Sequence, residues 1–320
     1  MIDPVRQAAG LLQRGDVQGA ARLLKQAEVA GDGAAARELG LWLLSGQLVR
    51  RDLPGARAMF ARAASLGDAP AEAILRAFVA QGIGGSRDWA AALQMLRDAA
   101  ATDESARKEF ALLGQMSLDS SGDPRAPSTA EIVSEAPLVR RFPKLLTDAE
   151  CDYLIAAAEP LLQPSVIVDP ATGEQRPNPI RTSSGASFPF VHERPAIHAL
   201  NRRLAAASGT EVGAGEPLQV LRYAPGEEYR LHSDALPGVV PAQQRRWTFL
   251  VWLNDEFAGG ETAFPKAGLR LRGRKGDGLL FRNVLDDGRP DDGAVHAGLP
   301  VTAGVKLLAS RWIRAAPLQY

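Results

Sequence analysis

The apolar positions in roughly the first hundred residues follow a helical period, and the whole pattern repeats along the chain. Alanines and large apolar residues recur at helical spacing, which places them on one face of each helix. A repeat of 36 residues then predicts stacked helical hairpins, with small side chains where neighbouring helices approach. The repeat links Asp16, Asp52 and Asp88, the alanines Ala20, Ala56 and Ala92, and the large residues Leu24, Phe60 and Leu96.

Polar and glycine residues mark the ends of the repeated helices. An aspartate before each helix is an expected N-cap, and a glycine after it an expected C-cap; in the repeat Gly31 pairs with Gly67, and Gly10 pairs with Gly46 and Gly82. From roughly Asp16 to Ala100 the chain resembles the Sel-one-like repeats, a branch of the tetratricopeptide class. The resemblance implies an α-helical repeat solenoid whose concave surface would bind a partner or a substrate.

The composition of the chain changes after the repeats. Residues from Ser117 to Ser134 are rich in Gly, Pro and small polar residues, which is typical of a linker. We therefore predict a helical repeat domain at residues 1–116, a linker at 117–135 and a second domain at 136–320. The protein would be multi-domain, with α and β parts that differ in kind.

The second domain is predicted to combine flanking helices with many short strands. Thr147 and Glu150 form a capping box for one helix, and a second helix is expected at residues 194–206. Short β-rich segments with Gly, Pro or Asp turns between them predict an antiparallel sandwich or jelly roll. These segments are Leu218–Tyr223, Glu228–Asp234, Trp247–Asn254, Gly259–Phe264, Leu269–Arg272, Gly278–Phe281 and Lys306–Ile313.

Charge and composition exclude several classes of partner. The 37 Lys and Arg residues balance the 37 Asp and Glu residues, so we expect no nucleic-acid partner and no anionic membrane surface. No apolar run reaches the ~20 residues of a transmembrane helix, and the first residues lack the basic segment and apolar core of a signal peptide. Cys151 is the one cysteine, so an intrachain disulfide is excluded and a cytoplasmic location is expected.

The candidate chemistry lies at three residues of the second domain. His232 and Asp234 fall near the end of a predicted strand, where positions i and i+2 point to the same face. His296, one of four histidines in the chain, would complete the set from a distant strand. Two histidines and one carboxylate on one side of a metal leave open positions and are diagnostic of non-haem Fe(II) oxygenases.

Lys306 adds a candidate co-substrate contact. It lies ten residues after His296 in an otherwise apolar strand, where a buried ammonium needs a counter-charge. The distal carboxylate of a dicarboxylate such as 2-oxoglutarate would supply that charge, while its 2-oxo acid end chelates the metal. The alternative is an edge lysine that points to water.

These residues belong to a longer pattern that resembles the prolyl 4-hydroxylase branch of the 2-oxoglutarate/Fe(II) dioxygenases, from about Pro137 to Trp312. The resemblance implies a double-stranded β-helix that binds Fe(II), 2-oxoglutarate and O2, with ascorbate as a reductant and no catalytic residue beyond the metal ligands. The pattern comprises Tyr223-x-x-Gly-Glu-x-Tyr229-x-x-His232-x-Asp234, Gly259-Gly260-Glu261-Thr262, His296, Lys306, Ser310-Arg311-Trp312-Ile313-Arg314, and upstream Val168-Asp169-x-x-Thr172-Gly173 with Arg181-Thr182-Ser183-Ser184-Gly185.

The same resemblance implies roles for further residues. Tyr223 would hydrogen-bond the distal carboxylate of 2-oxoglutarate, and Thr262 would line that pocket. Tyr229, Arg181 and Trp312 would face the substrate. The polar, turn-prone loop at residues 166–189 would close over a peptide and is expected to be mobile without it.

The expected reaction is hydroxylation of a prolyl residue in a peptide or protein, with release of succinate and CO2. A carboxylate at Asp234, where related halogenases have a small residue, makes hydroxylation the default. The helical repeats would dock the target. The alternatives are a hydroxylase of a free amino acid or small metabolite, a repeat scaffold with an inactive oxygenase domain, and a nucleic-acid demethylase. No stripe of basic residues in the sequence supports the demethylase.

Overall fold

The structure is a computed structural model that describes residues 3–168 and 175–318. By its internal contacts the chain divides into two compact units, which are described separately below. The first comprises Met1–Gln115, Ser120–Gly122 and Phe190–His198, and the second comprises Met116–Asp119, Asp123–Pro189 and Ala199–Tyr320.

The first unit is a stack of antiparallel helices whose order follows the 36-residue repeat. Helices α2, α4 and α6 begin at Val17, Leu53 and Trp89, which are 36 residues apart. Consecutive helices pack against each other, as the hairpin prediction requires. The helices are α1 (Pro4–Gln13), α2 (Val17–Val29), α3 (Gly33–Ser45), α4 (Leu53–Ser65), α5 (Ala69–Gln81), α6 (Trp89–Ala99) and α7 (Glu104–Gln115).

The predicted N-caps are present. The carboxylates of Asp16, Asp52 and Asp88 each accept a hydrogen bond from the backbone N–H three residues later, at 2.7, 3.0 and 2.9 Å. These bonds satisfy N–H groups that the first turn of a helix leaves without an intrahelical partner. The repeated aspartates therefore set where α2, α4 and α6 begin.

The glycines fulfil the C-cap prediction in part. Gly46 and Gly82 end α3 and α5 in the left-handed conformation, with φ of 70° and 80°. Gly10, which the repeat pairs with them, instead lies inside α1, which continues to Gln13. The first helix departs from the repeat. It ends four residues before α2 begins at Val17, so the loop between them is shorter than the loops that precede α4 and α6.

Small residues let the helices of the first unit approach closely. Ala36, Ala56 and Ala63 are fully buried in one cluster with Phe60 and Phe78. The two rings pack edge to face with centroids 5.2 Å apart, a favoured aromatic geometry.

A turn and the first residues of the helix that follows it, residues 190–198, also belong to the first unit. The Gln81 side-chain amide donates to the backbone carbonyls of Phe190 and Glu193, at 3.4 and 2.9 Å. The backbone N–H of Ala196 donates to the buried carboxylate of Glu109 at 3.0 Å. The sequence pattern did not predict that residues 190–198 would be held by the repeats.

The second unit is built on antiparallel strands, as the jelly-roll prediction states. Its large sheet has the order β1-β2-β13-β9-β16-β7-β6-β3, and its smaller sheet the order β12-β11-β14-β8. In the described ranges, the strands are β1 (Glu131–Glu135), β2 (Leu138–Phe142), β3 (Gln163–Pro164), β4 (Val166–Val168), β5 (Gln175–Pro177), β6 (Ser184–Phe188), β7 (Leu218–Tyr223), β8 (Tyr229–His232), β9 (Arg245–Trp252), β10 (Phe257–Gly259), β11 (Thr262–Phe264), β12 (Leu269–Leu271), β13 (Gly278–Arg282), β14 (His296–Gly298), β15 (Val301–Gly304) and β16 (Lys306–Arg314).

The two sheets share one hydrophobic core. Phe264 of the smaller sheet and Phe281 of the large sheet are both fully buried and pack edge to face at 5.1 Å. Trp252 and Tyr223 belong to the same cluster. Sheets that face each other across a packed core form the jelly roll.

Two helices accompany the strands: α8 (Asp148–Ala158) and α9 (Pro195–Ser208). The capping box at Thr147 and Glu150 is present and starts α8. Among the residues that the structure describes, no helix is long and apolar enough to cross a membrane. Short 3₁₀ helices cover Glu159–Leu161, Val212–Ala214, Pro241–Gln243, Pro265–Ala267 and Asp292–Ala294.

Three boundaries differ from the sequence prediction. The strand expected at residues 228–234 ends at His232, so Asp234 lies beyond β8. The strand expected at residues 259–264 is two strands, because Gly259 and Gly260 have φ of 70° and 69°, which interrupts extended backbone. The last residues of the predicted linker form β1, which pairs with β2 at the edge of the large sheet.

Candidate metal centre

Pairing between β8 and β14 brings the three candidate ligands together. His232 and His296 are directly opposite each other on these strands. The Nε2 atom of His232 lies 3.5 Å from Asp234 Oδ1, and that of His296 lies 3.6 Å from Asp234 Oδ2. One donor atom from each residue lies within 4.8 Å of the others, which is close enough for one metal ion.

Backbone carbonyls fix the orientation of both imidazoles. The Nδ1 atom of His232 lies 2.8 Å from the Arg230 carbonyl, and that of His296 lies 3.0 Å from the Ala294 carbonyl. A carbonyl accepts only, so each Nδ1 carries a proton, and each Nε2 is the ring nitrogen that faces Asp234. This is the tautomer in which histidine binds a metal through Nε2.

The charge states also suit a cation. Burial lowers the pKa of His296 to about 4, so this imidazole is neutral at pH 7. Burial alone would raise the pKa of Asp234, but its contacts with His232 and His296 and its hydrogen bond from Thr248 hold that pKa below the usual range. A buried carboxylate beside imidazole lone pairs fits the donor set of a two-histidine, one-carboxylate iron site.

Two residues that the sequence did not single out reach the Asp234 carboxylate, Thr248 directly and Asn283 through the Thr248 hydroxyl. The Thr248 hydroxyl donates to Asp234 Oδ2 at 2.7 Å, and the Asn283 amide nitrogen donates to that hydroxyl at 2.9 Å. Both side chains are about 1 % exposed. A signal was available, because Thr248 is a polar residue at the head of the apolar run from Phe249 to Leu253.

Lys306 lies deep in the same cavity as the three candidate ligands. It is 2 % exposed, it is the cross-strand partner of Tyr223, and its Nζ donates to the Gly260 carbonyl at 2.7 Å. The prediction of an edge lysine that points to water is thereby excluded. Burial lowers the pKa of Lys306 to about 8, and Thr262 lines the cavity beside it.

Of the residues expected on the substrate side, Tyr229 and Trp312 line the cavity, and Arg181 lies beside Tyr229. The Tyr229 ring stacks on the His232 imidazole with centroids 3.5 Å apart and an angle of 13°. The Arg181 guanidinium lies 5.5 Å from the Tyr229 ring centroid. Trp312 lines the cavity, and Arg245 covers one face of its ring at 3.6 Å. The structure thus brings all three near the metal centre.

Part of the upstream motif cannot be placed. Asp169, Thr172 and Gly173 lie outside the described residues. The described parts of the expected lid form β4, β5 and β6, and β4 pairs with β5 as a hairpin. Mobility of this segment stays a prediction.

Comparison with known proteins agrees with this geometry. Residues 218–314 match the family model of the 2OG-Fe(II) oxygenase superfamily. Prolyl 4-hydroxylase 1 of Arabidopsis thaliana is 36% identical over 201 residues, which cover 58% of this chain and 71% of that protein. Prolyl 4-hydroxylase 2 of the same plant is 33% identical over 211 residues, covering 58% and 70%.

Solved structures match each half of the chain. A viral collagen prolyl hydroxylase from Paramecium Bursaria Chlorella virus-1 is 29% identical, with a TM-score of 0.45, and the match covers 57% of this chain and 99% of that one. A Sel1 repeat protein from Oxalobacter formigenes is 26% identical, with a TM-score of 0.31, and covers 34% and 85%.

The fold and the site define a 2-oxoglutarate-dependent dioxygenase, which uses Fe(II), 2-oxoglutarate and O2. Within that class, the chain belongs to the prolyl 4-hydroxylase family. Its oxygenase part is preceded by the helical repeats of α1 to α7.

Proposed function

We propose that this protein hydroxylates a prolyl residue in a peptide or protein, with conversion of 2-oxoglutarate to succinate and CO2. The observation that carries the proposal is one cavity that holds a His-Asp-His cluster and a buried ammonium group. The relatives named prolyl 4-hydroxylases support the choice of prolyl group. The activity would belong to the domain predicted at residues 136–320.

His232, Asp234 and His296 would be the metal ligands. When bound, Fe(II) supplies the oxidative chemistry that couples decarboxylation of the 2-oxo acid to hydroxylation of a C–H bond. The protein contributes two imidazoles whose Nε2 atoms face the Asp234 carboxylate. Because these three donors come from one side, the other side stays free for co-substrate and O2.

Lys306 would bind the distal carboxylate of 2-oxoglutarate. Its Nζ now donates to the Gly260 carbonyl, and an ammonium group has further donors for an incoming carboxylate. Burial raises the pKa of Tyr223 above its usual range, so this phenol keeps its proton and is able to donate to the same carboxylate. Thr262, which is 2 % exposed, would complete the pocket wall.

The surface around the entrance suits a substrate larger than a free amino acid. Ile180 and Leu231 are 47 % and 57 % exposed, and they flank Arg181 and His232 along the chain. The Ile180 carbonyl accepts from the Arg230 backbone N–H at 2.8 Å, so the two apolar side chains belong to adjacent segments of the chain. An extended peptide would contact this apolar surface while its prolyl ring meets Tyr229, Arg181 and Trp312.

The repeats would serve as a docking surface for the target. Part of the array, at Gln81 and Glu109, already holds residues 190–198 of the same chain through hydrogen bonds to its backbone. In this contact an amide donates to carbonyls and a carboxylate accepts from an N–H, and the same groups would be able to bind the backbone of a target. A target would use the surface that this segment leaves accessible.

The test is release of succinate from 2-oxoglutarate in the presence of Fe(II), ascorbate and air. Proline-containing peptides, free proline and other amino acids are added separately. Stimulation by peptides supports the proposal, whereas stimulation by a free amino acid alone indicates a metabolic hydroxylase.

The matched controls are two histidine variants. His232→Ala removes a ligand and is expected to abolish turnover while the circular dichroism spectrum stays that of the wild type. His192→Ala, distant in sequence from the ligands, is expected to retain it. Full activity of His232→Ala would refute the ligand assignment, and absence of turnover in the wild type under every condition would favour an inactive scaffold.

A further inference from the structure

The position of Asp234 is not set by a strand. β8 ends at His232, and Asp234 follows two residues later in a segment without regular structure. Alternation along a strand therefore does not explain why its carboxylate meets the two imidazoles. The contact that reaches it from outside the ligand set is the hydroxyl of Thr248, at 2.7 Å from Oδ2.

The direction of this hydrogen bond follows from its three members. An ionised carboxylate is an acceptor only, so the Thr248 hydroxyl must give its one proton to Asp234. The Thr248 oxygen is then able to act only as an acceptor. It accepts a hydrogen bond from the Asn283 amide, whose nitrogen lies 2.9 Å away. With the amide turned the other way, Asn283 would compete with Asp234 for the hydroxyl proton, so the observed donor sequence is the consistent one.

The large sheet holds both members of this pair rigidly. Thr248 on β9 is the cross-strand partner of Phe281 on one side and of Trp312 on the other. Asn283 directly follows β13, and its backbone N–H donates to the Arg246 carbonyl at 2.9 Å while its carbonyl accepts from the Asp291 N–H at 2.9 Å. Because the sheet fixes where the Thr248 hydroxyl lies, the hydrogen bond from that hydroxyl also fixes where the Asp234 carboxylate lies.

We propose that Asn283 and Thr248 form a positioning relay that fixes the Asp234 carboxylate for metal binding. The hydroxyl occupies Oδ2 and leaves Oδ1, on the side of His232, as the oxygen offered to the metal. A carboxylate that ligates through one oxygen takes one coordination position instead of two, which leaves more positions for 2-oxoglutarate and O2. This inference rests on the proposed ligand set.

The test measures metal affinity, which does not depend on turnover. Metal-free protein is titrated with Mn(II) by calorimetry and with Co(II) by visible absorption, for the wild type and for Thr248→Val and Thr248→Ser. Valine keeps the shape and removes the hydroxyl, whereas serine keeps the hydroxyl. Because losing a partner of a metal ligand typically weakens metal binding 10- to 100-fold, we expect that loss for valine and affinity within threefold of the wild type for serine.

A variant at a second position, Asn283, keeps the proposal testable if Thr248→Val fails to fold. Asn283→Leu removes the donor that orients the hydroxyl and is expected to weaken Mn(II) binding several-fold, with an altered Co(II) spectrum. Thermal unfolding of each metal-free variant shows whether it is folded.

The outcomes separate the relay from the function. If the wild type binds neither metal, the ligand set and the proposed function both fail, and the relay fails with them. If the wild type binds and folded Thr248→Val or Asn283→Leu binds equally well, the relay alone is overturned.

Discussion

At the scale of single residues, burial decides what each side chain in the site is able to do. Lys306 and His296 both lose affinity for protons because they are enclosed, yet the consequences differ. A neutral imidazole is the form that binds a metal, whereas an ammonium group with a lowered pKa stays charged only below about pH 8. The co-substrate contact is therefore expected to be sensitive to pH.

Substitution of Lys306 by alanine is expected to weaken 2-oxoglutarate binding. A charge-assisted hydrogen bond contributes roughly 1.5–3 kcal/mol, which corresponds to a KM for 2-oxoglutarate about 10- to 150-fold higher. The half-buried Lys275, which pairs with Asp152 and does not line the cavity, is the matched control. An unchanged KM in Lys306→Ala would show that Lys306 does not contact the co-substrate.

The pH dependence of 2-oxoglutarate affinity has a definite sign. Below about pH 8 Lys306 is already an ammonium group, so binding a carboxylate needs no proton. Above that pH binding requires uptake of one proton, and the dissociation constant is expected to rise, approaching roughly tenfold per pH unit. Titrations with Mn(II)-loaded protein between pH 7 and 9.5 measure it. Lys306→Ala should bind weakly and lack this slope, and an equal slope in both proteins would contradict the assignment.

At the scale of elements, close approach between helices is made possible by particular small residues. A Cβ atom added at Gly40 on α3 would lie 2.7 Å from the buried ring of Phe60 on α4. The helical backbone itself would accept alanine at this position. The need for glycine therefore comes from the neighbouring helix.

Gly40→Ala is expected to destabilise the repeats by about 1–3 kcal/mol, because overpacking forces the ring or the helix to shift. Gly114→Ala on α7 is the matched control, since nothing lies within 4 Å of the added Cβ. That variant is expected to be stabilised by roughly 0.5–1 kcal/mol through its better helix propensity. Urea unfolding followed by circular dichroism measures both, and equal stabilisation of the two would rule out the close contact.

At the scale of the whole molecule, two units with separate cores need not unfold in one step. The first unit buries alanines and phenylalanines between helices, and the second buries aromatic residues between sheets. The candidate ligands and Lys306 all belong to the second unit. Ligands should therefore stabilise one unfolding transition selectively.

Calorimetric unfolding with Mn(II) and 2-oxoglutarate tests this selectivity. At a ligand concentration 100 times the dissociation constant, binding stabilises the folded state by about 2.7 kcal/mol. We expect the unfolding temperature of the oxygenase unit to rise and the unfolding temperature of the repeats to remain unchanged. His232→Ala should abolish the shift. A shift that persists in this variant would place the bound metal elsewhere.

The sequence determined the features that depend on local spacing. The 36-residue repeat, the aspartate caps at Asp16, Asp52 and Asp88, and the capping box at Thr147 all involve residues close along the chain, so spacing alone revealed them. The candidate ligands could also be recognised in the sequence, because the chemistry of iron restricts its ligands to few types of side chain. The jelly-roll class followed from the density of short strands.

The tertiary structure decided what depends on contacts between distant segments. Strand pairing placed His296 opposite His232, and the relay from Thr248 and Asn283 reached Asp234 beyond the end of its strand. The repeats also hold residues 190–198, and no periodic pattern in the sequence predicts this contact. Such contacts depend on how sheets and helices pack in three dimensions, and the order of residues along the chain does not encode that packing in any local spacing.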